Sequence, residues 1–92
     1  MFTLSAKLIF YIPESFSLKD KRQIRRSLID KTRHKFNAAI AEIDSLDNHN
    51  LLTIGIAVVS GDGAHRENQI NEIIRFMENT AAAELRTVEI CN

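Results

Sequence analysis

Residues 2–12 read FTLSAKLIFYI, and no other segment constrains the architecture as strongly. Every second side chain along it is apolar, which is the period of a half-buried β-strand. Pro13 ends this strand because proline has no N–H to donate to a sheet. The same alternation recurs in residues 51–60, LLTIGIAVVS. We therefore predict that these two segments are the central strands of one sheet.

Two amphipathic helices are predicted, one after each of these strands. Ser17 is a suitable N-cap with Asp20 three residues later, and apolar residues then recur at helical spacing. The second helix follows the turn Gly61-Asp62-Gly63. The predicted elements are strands over 2–12, 38–44, 51–60 and 85–90, helices over 18–36 and 64–80, and a polar loop over 45–50.

The order strand, helix, strand, strand, helix, strand predicts the topology. Right-handed crossovers fold this order into a four-stranded antiparallel sheet with both helices on one face. This is the ferredoxin-like split βαβ arrangement (βαββαβ) of the α+β class. We expect residues 1–92 to form a single domain of this kind, since 92 residues leave no room for a second core.

The face of the sheet that the helices leave open is predicted to be unusually apolar. Two interpretations stand side by side. The face mediates homodimerisation, or it carries the β-branched residues that many exposed sheet faces carry. The side chains predicted to lie on this face are Ile9, Tyr11, Leu51, Thr53, Ala57 and Val59.

Composition is that of a soluble globular protein, with 45% apolar and 26% charged residues. No apolar run approaches the ~20 residues of a membrane helix, and no signal-peptide pattern is present. A cytoplasmic location without membrane contact is therefore predicted. Cys91 is the only cysteine, which excludes an internal disulfide and a thiolate metal cluster within one chain. We predict no cofactor and no metal.

Positive charge is concentrated in the first predicted helix, although the net charge of the chain is zero. Eight of the 12 Lys and Arg residues lie within residues 19–35. Such segregation favours association with an anionic partner. At 100° per residue four bases form one stripe that suits a phosphate backbone, and two more are predicted to assist. The stripe is Lys19, Arg22, Arg26 and Arg33, and the assisting residues are Lys21 and Arg25.

The bases at the start of this helix have three interpretations. The helix dipole disfavours cations there, so a bound anion near the N-terminal N–H groups would stabilise them. Alternatively, carboxylates of Glu14, Asp44 or Asp47 pair with them inside the protein. They also fit an ordinary solvated helix face. Because Tyr11 is the only aromatic residue of the central strands that is predicted to lie on the open face of the sheet, phosphate contact is favoured over base stacking for any RNA partner.

No catalytic constellation is evident in the sequence. The turn over residues 13–17 lacks glycine and so cannot form a phosphate-binding loop. Glu42 and Asp44 are predicted to project from one face of an edge strand, but no cleft for a catalytic carboxylate pair is apparent. We therefore predict a non-catalytic protein.

Three further residues are weak candidates for a zinc or proton-transfer site. His34, Asp62 and His65 are predicted to lie at the end of the domain opposite the start of the first helix. A histidine near a helix C-terminus and an acid before a helix also have ordinary structural roles. The sequence leaves open whether these residues form any site.

Several segments resemble the YlxP-like family of small bacterial proteins, a domain of unknown function. The segments are residues 12–15 (IPES), 17–22 (SLKDKR), 36–37 (FN), 41–44 (AEID) and 54–60 (IGIAVVS), with Asp62 and His65. The chain departs from the family pattern at Gly61 and in the polar loop over 45–50. The resemblance implies a ferredoxin-like fold and a link to ribosomes through neighbouring genes, which is an association and not a mechanism.

Overall fold

The computed structural model describes residues 1–91 and contains the six predicted elements in the predicted order. Each boundary lies within one residue of its predicted position. The elements are β1 (Phe2–Tyr11), α1 (Leu18–Lys35), β2 (Ala39–Asp44), β3 (Leu51–Ser60), α2 (Gly63–Thr80) and β4 (Glu84–Cys91).

The four strands form one antiparallel sheet in the order β2-β3-β1-β4. β1 and β3 are central and pair along their whole length, with Leu8 opposite Ile54. β2 and β4 are the two edges. The prediction of a ferredoxin-like βαββαβ fold is confirmed. The two most apolar strands lie at the centre of the sheet, where α2 packs over them.

The core lies between the sheet and the two helices. The inward-facing side chains of β1 and β3 are almost completely buried, as their period of two requires. α1 contributes Leu28 and Ile29, and α2 contributes the i, i+3, i+7 series Ile70, Ile73 and Met77. These helical residues form one apolar stripe on each helix, so both helices are held on the same face of the sheet.

The helices do not cover the sheet evenly. α1 packs over β2, whereas α2 packs over β1 and β3. The C-terminal half of β4 (Thr87–Cys91) is therefore not covered by α1 or α2, and its side chains Val88 and Ile90 are exposed on the helix side of the sheet.

Two β-bulges interrupt the edges of the sheet. In β2, Glu42 lies opposite Ile54 and Asp44 opposite Thr53, so Ile43 is the additional residue. In β4, Leu85 lies opposite Phe10 and the register then shifts by one residue at Arg86. The first bulge overturns the prediction that Glu42 and Asp44 project from the same face.

Candidate nucleic-acid interface

Lys21 lies on the buried side of α1 rather than on its surface. Its exposed fraction is 1%, and its ammonium group donates hydrogen bonds to the carbonyl oxygens of Ser45 (2.6 Å) and Asn48 (2.9 Å). Its Nζ also lies 2.9 Å from Oε2 of Glu42. The prediction that Lys21 assists in phosphate binding is therefore wrong, because three oxygens of its own chain occupy the ammonium group.

Glu42 is the carboxylate that pairs with Lys21 and Arg25 of α1. Its side chain is 6% exposed, with Oε1 accepting a hydrogen bond from Nη1 of Arg25 at 2.8 Å. Oε2 meets Lys21 as an ion pair without an aligned hydrogen bond. Burial acts to raise the pKa of Glu42, but the ion pairs with Lys21 and Arg25 outweigh it and hold the pKa below its ordinary value. A buried three-residue charge cluster thus joins α1 to β2.

The turn after β2 is shaped to meet this cluster. Ser45 has a φ of 59°, in the left-handed region that residues other than glycine rarely adopt. Its N–H donates to Oδ1 of Asp44 (2.7 Å), its hydroxyl is 2.9 Å from that of Thr53, and its carbonyl accepts from Lys21. All the polar groups of Ser45 are engaged, which holds the unfavourable backbone conformation in place.

These contacts also identify the partners of two of the basic residues near the start of α1. The pairing is intramolecular for Lys21 and Arg25, but the partner is Glu42 and not the predicted Asp44, Asp47 or Glu14. Asp44 instead accepts the N–H of Ser45. Arg25 is half-buried and engaged, so its predicted role beside the phosphate stripe is not supported by its position.

The N-terminus of α1 is capped by its own side chains. The hydroxyl of Ser17 accepts a hydrogen bond from the N–H of Asp20 at 3.1 Å, and Oδ2 of Asp20 accepts from the N–H of Phe16 at 3.0 Å. This arrangement is a variant of the capping box in which the carboxylate accepts from the N–H of the residue before the N-cap Ser17. It fills part of the anion-binding capacity that the sequence assigned to this helix end.

Lys19, Arg22 and Arg26 form the part of the predicted stripe that remains available. All three are exposed, and no carboxylate within residues 1–91 lies within ion-pair distance of them. Arg33 is exposed as well, but its Nη2 donates to the carbonyl oxygen of Ile40 on β2 at 2.6 Å. The structure thus reduces the predicted interface of six bases to three exposed residues on two consecutive turns, with Arg33 partly engaged.

The open sheet face exposes fewer of the predicted side chains than expected. Ala57 and Val59 are exposed, whereas Ile9, Tyr11 and Leu51 are half-buried and the guanidinium of Arg86 lies 4.8 Å from the ring centre of Tyr11. Thr53 is 2% exposed, because the bulge in β2 brings Ser45 onto it. The assignment of Thr53 to an exposed interface is therefore wrong, and the association of this face with a second copy stays a prediction.

A shallow groove of about 620 Å³ crosses the same face. It exists because small side chains meet there, with Ala39 beside Ala57 and Ala41 beside Gly55 in the register of β2 and β3. Ile43 closes one side, since a Cβ added to Gly55 would lie 2.9 Å from its Cγ2.

The histidine candidates have local roles or lie in solvent. Asp62 caps α2, its Oδ1 accepting from the N–H of Ala64 at 2.9 Å. His34 is exposed in the last turn of α1, and His65 is exposed in the first turn of α2. Within residues 1–91 no three His, Cys, Asp or Glu side chains come together as ligands for a metal ion.

A helical wheel contains a signal for the buried lysine. Lys21 stands seven residues before Leu28 and eleven before Thr32, both of which are buried, so all three share one side of α1. The prediction that Lys21 assists in phosphate binding does not use this spacing. The partners of Lys21 could not be found by the same route, because they lie more than twenty positions away, around a bulge and a left-handed residue.

Comparison with known proteins gives the family. The model of a family described as "Protein of unknown function (DUF503)" matches residues 3–90. The chain belongs to the DUF503 family. It is also 30% identical over 77 residues to the uncharacterized protein YlxP of Bacillus subtilis strain 168, covering 84% of this chain and 83% of that protein. The resemblance to YlxP-like proteins is confirmed.

A solved structure supports the fold of this DUF503 protein. The solution NMR structure of a de novo designed protein with a ferredoxin fold superimposes with a TM-score of 0.65 and 16% identity, covering 100% of this chain and 87% of that one. At this identity the likeness concerns the fold alone. No helix within residues 1–91 is long and apolar enough to cross a membrane.

Proposed function

We propose that this DUF503 protein is a non-catalytic cytoplasmic binding protein that contacts the phosphate backbone of structured RNA, such as that of a ribosomal subunit. The contact surface is the exposed side of α1. The observation that carries the proposal is the group Lys19, Arg22 and Arg26, three exposed bases without an ion-pair partner among residues 1–91.

The anchoring of α1 supports this role. The cluster of Lys21, Arg25 and Glu42 fixes the buried side of the helix to β2, at the same level as the three exposed bases. A helix that cannot roll presents its bases in one fixed orientation, which lowers the ordering cost of binding. Lys21 and Arg25 thus hold Lys19, Arg22 and Arg26 in position without contacting the RNA themselves.

The spacing of the three exposed Lys and Arg residues suits contacts with a phosphate backbone rather than with individual nucleobases. Along a helix that rises ~1.5 Å per residue, Lys19, Arg22 and Arg26 are separated by about 4 to 6 Å. Contacts of this kind position a protein on nucleic acid without reading its sequence. We expect recognition of RNA shape and a strong dependence on salt.

The test is co-sedimentation with purified ribosomal subunits, and separately with a structured RNA, over a series of salt concentrations. Three phosphate contacts predict that log K falls against log salt with a slope of about −2 to −3. The variant Lys19→Glu/Arg22→Glu/Arg26→Glu is expected to lose binding at every salt concentration while its thermal unfolding stays close to that of the wild type.

A matched control separates a local contact from overall charge. The variant Lys7→Glu/Arg75→Glu/Arg86→Glu changes the net charge by the same amount on other surfaces, and it removes two exposed ion pairs and the contact of Arg86 with the ring of Tyr11. It is expected to retain most of the binding. Equal losses in both variants, or wild-type binding that is indifferent to salt, would refute the proposal.

A further inference from the structure

The two edges of the sheet differ in how far their backbone is protected. β2 is short, with six residues, and contains a bulge. In the middle of β2, the guanidinium of Arg33 donates a hydrogen bond to the carbonyl oxygen of Ile40. Short length, a bulge and a covering charged side chain are the usual means by which proteins prevent an edge strand from pairing with another chain.

β4 has none of this protection along its C-terminal half, Thr87–Cys91. The strand Glu84–Cys91 has eight residues, contains neither proline nor lysine, and is exposed along nearly its whole length. Its bulge lies at Arg86, so Thr87–Cys91 pairs regularly with Ser5–Ile9 of β1. The opposite side of these five residues is a regular, unpaired ladder of backbone donors and acceptors.

Apolar side chains beside this ladder are also uncovered. Val88 lies opposite Leu8 and Ile90 opposite Ala6, and both of these β1 residues are buried. Val88 and Ile90 nevertheless remain 42% and 48% exposed, because α2 packs over β1 and β3 instead. Both side chains point to the helix side of the sheet, but no helix within residues 1–91 packs over them.

The charges of β4 do not oppose the approach of another strand. Glu84 is paired with Arg86 at 2.7 Å, and Glu89 lies 3.7 Å from Lys7. Each charge on the strand therefore has a partner of opposite sign within its own chain. No uncompensated charge is left to act as a barrier to edge pairing.

We propose that β4 pairs antiparallel with β4 of a second copy of this chain, joining two sheets into one of eight strands. A second copy is the favoured occupant because the edge is self-complementary in an antiparallel register centred on Val88. That register pairs Thr87–Glu89 of the two copies, with Val88 beside its symmetry mate and Glu89 opposite Thr87 rather than opposite another Glu89. It places Ile90 diagonal to Val88 of the partner and opposite Arg86, the bulge residue. A register centred on Glu89 would bring like charges together.

The size of the contact sets the expected affinity. Two short strands and four aliphatic side chains bury less than the ~1,200 Å² of a standard stable interface. We expect a weak dimer with a Kd on the order of 10 to 100 µM. The association is separate from the phosphate contacts proposed above, since α1 packs over β2 at the far edge of the sheet.

The test is sedimentation of the wild type from about 10 µM to about 1 mM, beside one double and two single variants that place lysine at exposed apolar positions. Val88→Lys/Ile90→Lys lies on the β4 edge, Ile43→Lys on β2, and Val59→Lys on the open face. The wild type, Ile43→Lys and Val59→Lys are expected to dimerise, and Val88→Lys/Ile90→Lys to stay monomeric.

Hydrogen exchange of the backbone amides gives a second readout that needs no variant. Protection within residues 87–91 is expected to rise with protein concentration, while protection in β2 stays constant. A wild type that remains monomeric at about 1 mM overturns the proposal. So does a dimer that Val59→Lys abolishes and Val88→Lys/Ile90→Lys preserves, since the open face would then be the interface.

Discussion

Nζ of Lys21 and Oε2 of Glu42 lie 2.9 Å apart with both side chains almost inaccessible, so one ion pair connects the first helix to an edge strand inside the protein. Removing two charges from water is costly, and the attraction between them repays this cost only when their remaining atoms are also engaged. Here the carbonyl oxygens of Ser45 and Asn48 and the guanidinium of Arg25 provide those contacts.

Replacing the carboxylate should expose this dependence. Glu42→Gln leaves the ammonium of Lys21 buried without a counter-charge, and we expect the free energy of unfolding to fall by about 3 to 5 kcal/mol in a urea titration. Glu89→Gln removes an exposed pair and should cost less than about 1 kcal/mol. The double variant Lys21→Met/Glu42→Gln should recover part of the loss. Similar small losses for Glu42→Gln and Glu89→Gln would contradict the role of the buried pair.

The same pair predicts a dependence of stability on pH. The pKa of Glu42 is lower in the folded protein than its ordinary value of 4.5, because its ion pairs outweigh the effect of burial. Its stabilising contribution is therefore complete above about pH 4.5 and is lost as the pH falls through the lower folded value. The difference in unfolding free energy between wild type and Glu42→Gln should be largest at neutral pH and shrink in acid. A difference that stays constant from pH 7 to the acid limb would argue against this linkage.

Gly55 should not tolerate a side chain while Ile43 is present. A Cβ at this position would lie 2.9 Å from Cγ2 of Ile43, so Gly55→Ala is expected to destabilise the protein by about 1 to 3 kcal/mol. In an Ile43→Ala background the same change should cost little. Gly61→Ala is the matched control, because nothing lies within 4 Å of its added Cβ. Equal costs in both backgrounds would rule out Ile43 as the cause.

Asn50 should be required to hold the turn that precedes α1. Its Nδ2 donates to the carbonyl oxygens of Ile12 (2.9 Å) and Ser15 (3.0 Å), which join the end of β1 to the start of β3. Asn50→Ala leaves both oxygens without this donor, and a loss of about 1 to 3 kcal/mol is expected by thermal or urea unfolding. Asn79→Ala, on the exposed side of α2, should change stability by less than about 0.5 kcal/mol. A similar result for both would contradict the assignment.

The architecture could be predicted because it depends on local patterns. The alternation of β1 and β3 identifies the central strands, and Ser17 with Asp20 marks the start of α1, where both residues act as predicted. Such signals lie within a few residues of the element that they specify. The element order then leaves few topologies, so the fold follows without long-range information.

The interface was predicted less well because it depends on contacts between distant residues. Lys21 was assigned to the surface by its charge, although its burial requires two carbonyls and a carboxylate from the strand and turn that follow the helix. Thr53 was assigned to the open face by its period of two, although the bulge at Ile43 covers it. A bulge shifts one residue without leaving a clear sequence pattern, and it changes what lies over every neighbour.

The unequal edges of the sheet also determine how large an assembly can become. A protein with two unprotected edges can add copies at both ends and grow into a fibre, because each addition exposes a new edge. Here Arg33 and the bulged β2 close one side of the sheet, so a pair joined through β4 presents only closed edges to the solution. In the proposed dimer, growth would therefore stop at two copies, and the short length of β2, its bulge and Arg33 together would make the assembly a finite particle instead of a filament.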